Sequence, residues 1–280
     1  NSCRFDALCR HFTGLGLIAM QYLRSVLFLL FLLLYTPLFA CLCLLSFLFL
    51  NTQGRYTMIR GWAWPIIRLA DKLCGIRYHF KGWEHCTALM NQPVIVLSKH
   101  QSAWETIAFV AFFPKRLCYV FKRELLLVPF FGWILGLLRM VHINRSAGTR
   151  AFQSVVEQGK QRLSEGAWII MFPEGTRTAS GTQGYYKTGG ARLAVTTQAF
   201  VIPIAHNAGR CWPRKSMLKY PGTIAVSIGP PISSQNKTPE QLNHEVQTWI
   251  EQEMRIIDSE SYQPRTHANK NTQQVNDAQS

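Results

Sequence analysis

From Ser25 to Leu50 the chain reads "SVLFLLFLLLYTPLFACLCLLSFLFL", without one charged side chain. A helix of about 20 apolar residues crosses the hydrocarbon of a bilayer, and a soluble core helix rarely runs so far without a charge. A cleaved secretion signal has a shorter apolar region and a small-residue cleavage site, and this stretch shows neither. Residues 15–50 are therefore expected to form a retained, membrane-embedded helical segment behind a basic flank at 1–14. Pro37 falls inside it and marks either a kink in one span or the bend of a helical hairpin that returns to the same face. Arg4, Arg10 and Arg24 precede the segment, and Arg55, Arg60, Arg68, Lys72, Arg77 and Lys81 follow it. The heavier basic flank on the C-terminal side places the bulk of the chain in the cytoplasm.

The net charge is +15, from 30 lysines and arginines against 15 acidic residues. On a membrane-anchored chain that excess reads first as attraction to anionic lipid headgroups. It also offers a surface for an acidic partner or substrate. No nucleic-acid motif accompanies the charge, so nucleic acid is not an expected partner. None of the eight cysteines forms a C-x-x-C pair, which argues against a zinc or redox site and fits a reduced, cytoplasmic location.

Residues 51–75 mix tryptophans, aliphatics and basic side chains, as a helix at the membrane interface or one packed on the core would. From about residue 76 the chain alternates short β-rich runs with helical stretches. The runs are "RYHF", "PVIVLS", "LCYVF", "MVHIN", "AWIIMF", "AFVIPIAH" and "TIAVSIG". Helical periodicity falls around 102–113, 122–139, 148–164 and 188–198. A last helix opens at Thr238 with Pro239 and Gln241, the pattern of a capping box. The expectation is an α/β domain over 76–258, a mostly parallel β-sheet flanked by helices, with the N-terminal membrane-embedded segment attached. The polar tail 259–280 is expected to be disordered.

In α/β sheets ligands gather at the C-terminal ends of strands. After "PVIVL" come His100 and, five positions later, Glu105; after "MVHIN" comes Arg145; after "AWIIM" comes "FPEGTR", residues 172–177; "VIPIA" spans 201–205. Each has an ordinary explanation. "SAWE" is a capping box, with Ser102 as cap and Glu105 reaching back to it. Arg145 alone is a surface arginine, "PEGT" alone is a turn, and Pro203 alone marks an edge strand or a bulge. Jointly, a base candidate and two arginines on separate strand ends suit a phosphate-bearing substrate with a hydroxyl to activate. Other classes fall away: G-x-S-x-G is absent, Gly190 stands where a P-loop needs lysine, and His244-Glu245 lacks a second histidine in register.

These blocks resemble the glycerolipid acyltransferases, most closely the bacterial 1-acyl-glycerol-3-phosphate acyltransferases. "HQSAWE" (100–105) matches the family's His-plus-five-carboxylate block with Glu for the commoner Asp. "HINR" (142–145) is similar to the second block, with Asn144 where Asp is commoner. "FPEGTR" meets the third letter for letter, and "VIPIA" meets the fourth. "KRELLLVPFFGW" (122–133) is similar to a further family segment. The resemblance covers roughly 76–232 and implies acyl transfer from a thioester, on acyl carrier protein or coenzyme A, to the sn-2 hydroxyl of lysophosphatidic acid. It implies His100 as general base with Glu105 orienting it. It implies Arg145, Arg177 and Lys122 on the lysolipid phosphate, and Glu174, Gly175 and Thr176 shaping the loop around the glycerol. No metal or other cofactor is implied. The location implied is the bacterial inner membrane, catalytic domain on the cytoplasmic face. An apolar groove near 125–138 is a candidate for the acyl chain, a buried helix being the plain alternative. A related acceptor, such as a lyso-ornithine lipid, and a non-catalytic lipid-binding protein of the same fold are the rival functions.

Overall fold

The structure, a computed structural model, describes residues 2–262 apart from 145 and 147. Its elements are α1 (Ser2–Ser46), α2 (Thr52–Cys74), β1 (Ile76–Lys81), α3 (Trp83–Thr87), β2 (Val94–Ser98), α4 (Trp104–Phe112) and β3 (Leu117–Lys122). A 3-10 turn (Arg123–Leu127) then leads to α5 (Phe131–Leu137), β4 (Val141–Ile143), α6 (Thr149–Ser164) and β5 (Trp168–Met171). The chain closes with α7 (Gly189–Thr197), β6 (Phe200–His206), α8 (Ala208–Cys211), β7 (Gly222–Ile228) and α9 (Pro239–Ile257). All seven β-rich runs of the sequence are strands.

The seven strands form one sheet in the order β1-β7-β6-β2-β5-β3-β4. Every pairing is parallel except β6 with β7, so the expected mostly parallel sheet is present. Central β2 is buried on both faces: Ile95 and Leu97 join one hydrophobic cluster, Val94 and Val96 the other. That is why "VIVL" reads as an unbroken apolar run and not as an alternating one.

Two local expectations are corrected, and of the two alternatives at Pro37 the continuous helix is the one found. Pro203 lies in β6, an interior strand and not an edge. Within a strand a residue's N–H and C=O point the same way, and Pro203 O faces Gly229 N (2.8 Å), just past the Ile204–Ile228 end of the antiparallel ladder. The missing N–H therefore leaves no ladder bond unmade. The helix expected at 122–139 is broken in two. Pro129 forces Val128 out of the helical region (ψ 117°), and Phe130 turns the chain at φ 60°. Finally, α1 runs through Pro37, and the chain reverses at residues 47–51. Asn51 caps α2 by accepting from Gly54 N at 2.8 Å. Arg55 clamps the reversal, donating from Nε and Nη2 to Phe47 O (3.1 and 2.7 Å) and from Nη1 to Leu137 O (3.0 Å).

Ile18–Ser46 is the one helix among the described residues long and apolar enough to cross a membrane, and little of it is buried by the rest of the chain. Buried side chains of the helix and of the turn after it nonetheless belong to the core: Phe28 and Cys43 in the helix and Phe47 just past its end join the clusters. Between α1 and the sheet lies α2, which buries Tyr56, Ile59, Ala63, Ile66, Ile67, Ala70 and Cys74 along one stripe. The expected Thr238 capping box is present, with both its hydrogen bonds made. The tail beyond Tyr262 lies outside the described residues.

Candidate active site

Strand β2 delivers the loop Lys99–Ala103 to the C-terminal end of the sheet, and α4 leaves from it. Glu105, in the first turn of α4, is fully buried. Its Oε1 accepts from three donors: Gln101 N at 2.9 Å, Ser102 N at 2.8 Å and His100 Nδ1 at 2.9 Å. Burial works against the charged carboxylate. His206, His100 and the Ser102 N–H together outweigh it and hold the group below its ordinary value. A carboxylate at the start of a helix gains further from the dipole. The bonds that hold the loop N–H groups and the His–carboxylate pair thus meet at one oxygen atom. The ionised Glu105 puts the imidazole proton on Nδ1 and leaves Nε2 with its lone pair.

Ser102 is not the N-cap expected from the sequence. The cap is Ala103, without a side-chain bond. Ser102 Oγ accepts from Trp104 N (3.0 Å) and donates to Trp212 O (2.6 Å), fully buried, and so is not placed as a nucleophile.

The backbone around His100 is held at every polar atom. His100 N donates to Glu174 Oε2 (2.9 Å), and His100 O accepts from Thr178 N (2.8 Å) and Thr178 Oγ1 (3.1 Å). Lys99 O accepts from His206 Nε2 at 2.8 Å. The buried His206 also accepts from Ala208 N at Nδ1 (3.3 Å), which fixes the neutral tautomer. Burial lowers its pKa accordingly. Phe172 stacks on the His100 ring, centroids 3.9 Å apart and planes 15° apart. The "FPEGTR" block therefore reaches His100 through Phe172, through Glu174 and through the Thr178 that follows it.

Behind the loop is a buried ionic cluster. Lys99, fully buried, donates from Nζ to Glu174 Oε1 (2.8 Å) and Glu251 Oε1 (3.1 Å). Burial disfavours the ammonium, but the two carboxylates prevail and raise its pKa. Glu251, from α9, also accepts from Tyr186 OH at 2.7 Å, and burial raises its pKa. The carboxylate of Glu174 is thus turned inward, onto Lys99, Gly184 N (3.1 Å) and His100 N. Any part it has in shaping the loop is played through these buried contacts.

The other expected residues fall as follows. Gly175 has φ +70°, a left-handed conformation that favours glycine, with the mobile end of the Lys187 side chain beside it. Thr176 and Arg177 are exposed beyond it. Arg177 shares with His100 and Phe172 the wall of a cavity of about 570 Å³. The remaining lining is mostly apolar and comes from α1, α2, α4, β3 and the 125–138 segment. Lys122 ends β3, exposed to solvent and outside that lining. Arg145 lies outside the described residues. Lys99, Phe172, Thr178, Tyr186, His206 and Glu251 were not anticipated. Only Glu251 carried a signal: it shares a helical face with Asn243 and Met254, an acid on an otherwise buried stripe.

Four similarities bear on identity. The Acyltransferase family model matches residues 77–207. A 1-acyl-sn-glycerol-3-phosphate acyltransferase of Pseudomonas aeruginosa is 41% identical over 244 residues, covering 85% of this chain and 93% of the relative. The mouse 1-acyl-sn-glycerol-3-phosphate acyltransferase alpha is 30% identical over 175 residues, covering 62% of this chain and 61% of the relative. The crystal structure of the 1-acyl-sn-glycerophosphate (LPA) acyltransferase from Thermotoga maritima shares the fold. Its TM-score is 0.71 at 19% identity, covering 87% of this chain and 98% of that one. With the His–carboxylate pair in place, and identity sustained over nearly the whole Pseudomonas relative, the chain belongs to the family of 1-acyl-sn-glycerol-3-phosphate acyltransferases.

Proposed function

We propose that the enzyme transfers an acyl group from an acyl thioester, on acyl carrier protein or coenzyme A, to the sn-2 hydroxyl of lysophosphatidic acid, giving phosphatidic acid. The observation that carries this reading is the state of His100: Nδ1 is held by a buried carboxylate, and the ring lines an apolar cavity that also holds an arginine. Nε2 takes the hydroxyl proton as the oxygen attacks the thioester carbonyl. The tetrahedral adduct collapses, the C–S bond breaks, and the imidazolium returns the proton to the departing thiolate. Glu105 favours the imidazolium throughout, and base assistance of this kind is worth about 10²–10⁴ in rate. Arg177 binds the lysolipid phosphate, its planar fork suited to phosphate oxygens, with Arg145 and Lys122 as further cations. Gly175 and Thr176 form the turn on which Arg177 is presented. Glu174 serves by holding the His100 backbone. The cavity takes the acyl chain, in keeping with its lining and size.

Both lipids live in a bilayer, and the exposed apolar helix α1 supplies the attachment. The heavier basic flank that follows it supports a catalytic domain on the cytoplasmic face of the inner membrane, and the net positive charge supports attraction to anionic lipids. The test is to supply purified protein with acyl carrier protein and coenzyme A thioesters and a panel of lysolipids. Phosphatidic acid formed from lysophosphatidic acid is the expected product. Product from a lyso-ornithine lipid alone would overturn the acceptor, and acyl transfer to none of them would leave a lipid-binding protein.

A further inference from the structure

The segment between β3 and β4 is apolar on both its faces. From Leu125 to Leu138 it carries no charged side chain. Its inner side chains, among them Leu125, Ile134 and Leu135, wall the cavity that holds His100. Its outer side chains are largely left uncovered by protein: Leu127 is 83% exposed and Trp133, whose ring leans on Phe130, 51%, while Phe131, 53% exposed, also reaches the cavity wall. The 3-10 turn buries no residue, and α5 buries only Gly132. Gly132 is pressed on the carbonyls of Leu125 and Leu126, where a Cβ would come within 2.4 Å of oxygen. Phe130, a bulky residue at φ 60°, carries backbone strain at the corner. The segment is thus folded chiefly on itself and laid over the cavity.

Contiguous aromatic and aliphatic exposure of this kind is costly in water. What covers it is indicated by its neighbour. Leu48 and Phe49, at the reversal after α1, are 77% and 88% exposed. The single guanidinium of Arg55 ties Phe47 O to Leu137 O, so the reversal and the end of α5 share one apolar surface. On α1 itself Leu38, Leu42 and Leu45 are likewise exposed. Lys122 and Arg123, exposed where the segment begins, suit the headgroup level, and Trp133 suits the interface.

We propose that residues 123–138 form a second membrane-contacting element, inserted into the leaflet that holds α1, and that the acyl chain enters the cavity past it directly from the bilayer. The first half concerns the outer face alone; the second rests on the function proposed above. An apolar tail then never crosses water on its way to His100.

The experiment compares the full chain with Leu127→Asp/Trp133→Asp in phosphatidylcholine–phosphatidylglycerol vesicles. Acyl transfer is measured between long-chain vesicle-borne substrates and, separately, between short-chain water-soluble ones. The expected result is a drop of about tenfold or more with vesicle-borne lipids, through KM, since two large apolar side chains lose their burial. Short-chain transfer should stay within about twofold, because neither side chain lines the cavity. In parallel, lipids brominated in their acyl chains should quench the parent's fluorescence more than that of Trp133→Phe. Equal losses in both assays, or no loss in either, would overturn the proposal. So would absent quenching of Trp133 together with a dimer in sedimentation, which would make the face an interface between copies. If the parent acylates nothing in either assay, the functional reading fails, while the quenching still decides insertion.

Discussion

At the scale of single residues, Glu105 shows how one oxygen atom serves two ends. Its Oε1 takes all three hydrogen bonds, while Oε2 is buried without a partner. A glutamine at 105 would keep the three bonds by placing its oxygen where Oε1 is, so the His100 tautomer survives. It would also bury two unmatched N–H donors where Oε2 stood, at a cost of about 1–3 kcal/mol. Glu105→Gln is therefore expected to fold less stably and to lose about 10² in kcat, from lost imidazolium stabilisation and not from a wrong tautomer. Kinetics and urea unfolding of the variant check both; full activity would leave Glu105 a cap alone. His206 carries a pH prediction. Burial lowers its folded pKa below 6.5, so the unfolded chain binds the proton first, and stability falls as pH drops from 6.5 toward the folded value. Glu105, whose ordinary value is 4.5 and whose folded value is lower, contributes a loss only in more acid solution. His206→Gln retains a donor for Lys99 O and does not titrate, so its Tm should fall less between about pH 7 and pH 5 than the parent's. At this scale His100 and Glu105 were legible because they stand five positions apart at a strand end. The Lys99–Glu251 contact was not, because its partners are 152 positions apart.

At the scale of elements, β-rich runs and helix caps read well, since period and turn chemistry are local. The break at Val128–Phe130 was missed because the apolar run overwhelms the single signal of Pro129. What no local pattern shows is that α9 closes the active-site loop from behind. Its Glu251 and the loop's Glu174 both depend on one buried ammonium. Lys99→Met should thus leave two buried carboxylates without their counter-ion and cost about 3–5 kcal/mol. Adding Glu251→Leu removes one of those charges, and Glu174 keeps its Gly184 and His100 N–H donors. The double variant should be more stable than Lys99→Met, although it contains one more substitution. Urea midpoints decide it: a double variant that loses the sum of both single costs would mean that the two residues are not energetically coupled.

At the scale of the whole molecule, the apolar N-terminal run was legible as a membrane segment but not as part of the catalytic domain's core. An uninterrupted apolar stretch looks the same whether a given side chain meets lipid or protein. The structure divides the two roles along one helix and the turn that follows it. Leu33, Leu34, Leu38 and Leu45 are exposed, while Phe28, Cys43 and Phe47 are buried in the two clusters that flank the sheet. Ser25 and Gln21 are hydrogen-bonded to the backbone of Lys219, 194 and 198 positions away. Thr36, Pro37, Phe39, Ala40 and Cys43 build one wall of the cavity. Deleting residues 1–50 therefore does more than release the protein from membranes. It removes two buried phenylalanines, each worth about 1.5–3 kcal/mol of burial, and opens the cavity along one side. The expected outcome is a truncated chain with a clearly lower unfolding midpoint and little transfer of long acyl chains, even when substrates are presented in detergent. A simple anchor would behave otherwise: its removal would leave the detergent activity and the midpoint of the parent intact. Measuring both on the truncated and full chains separates an anchor from a structural wall.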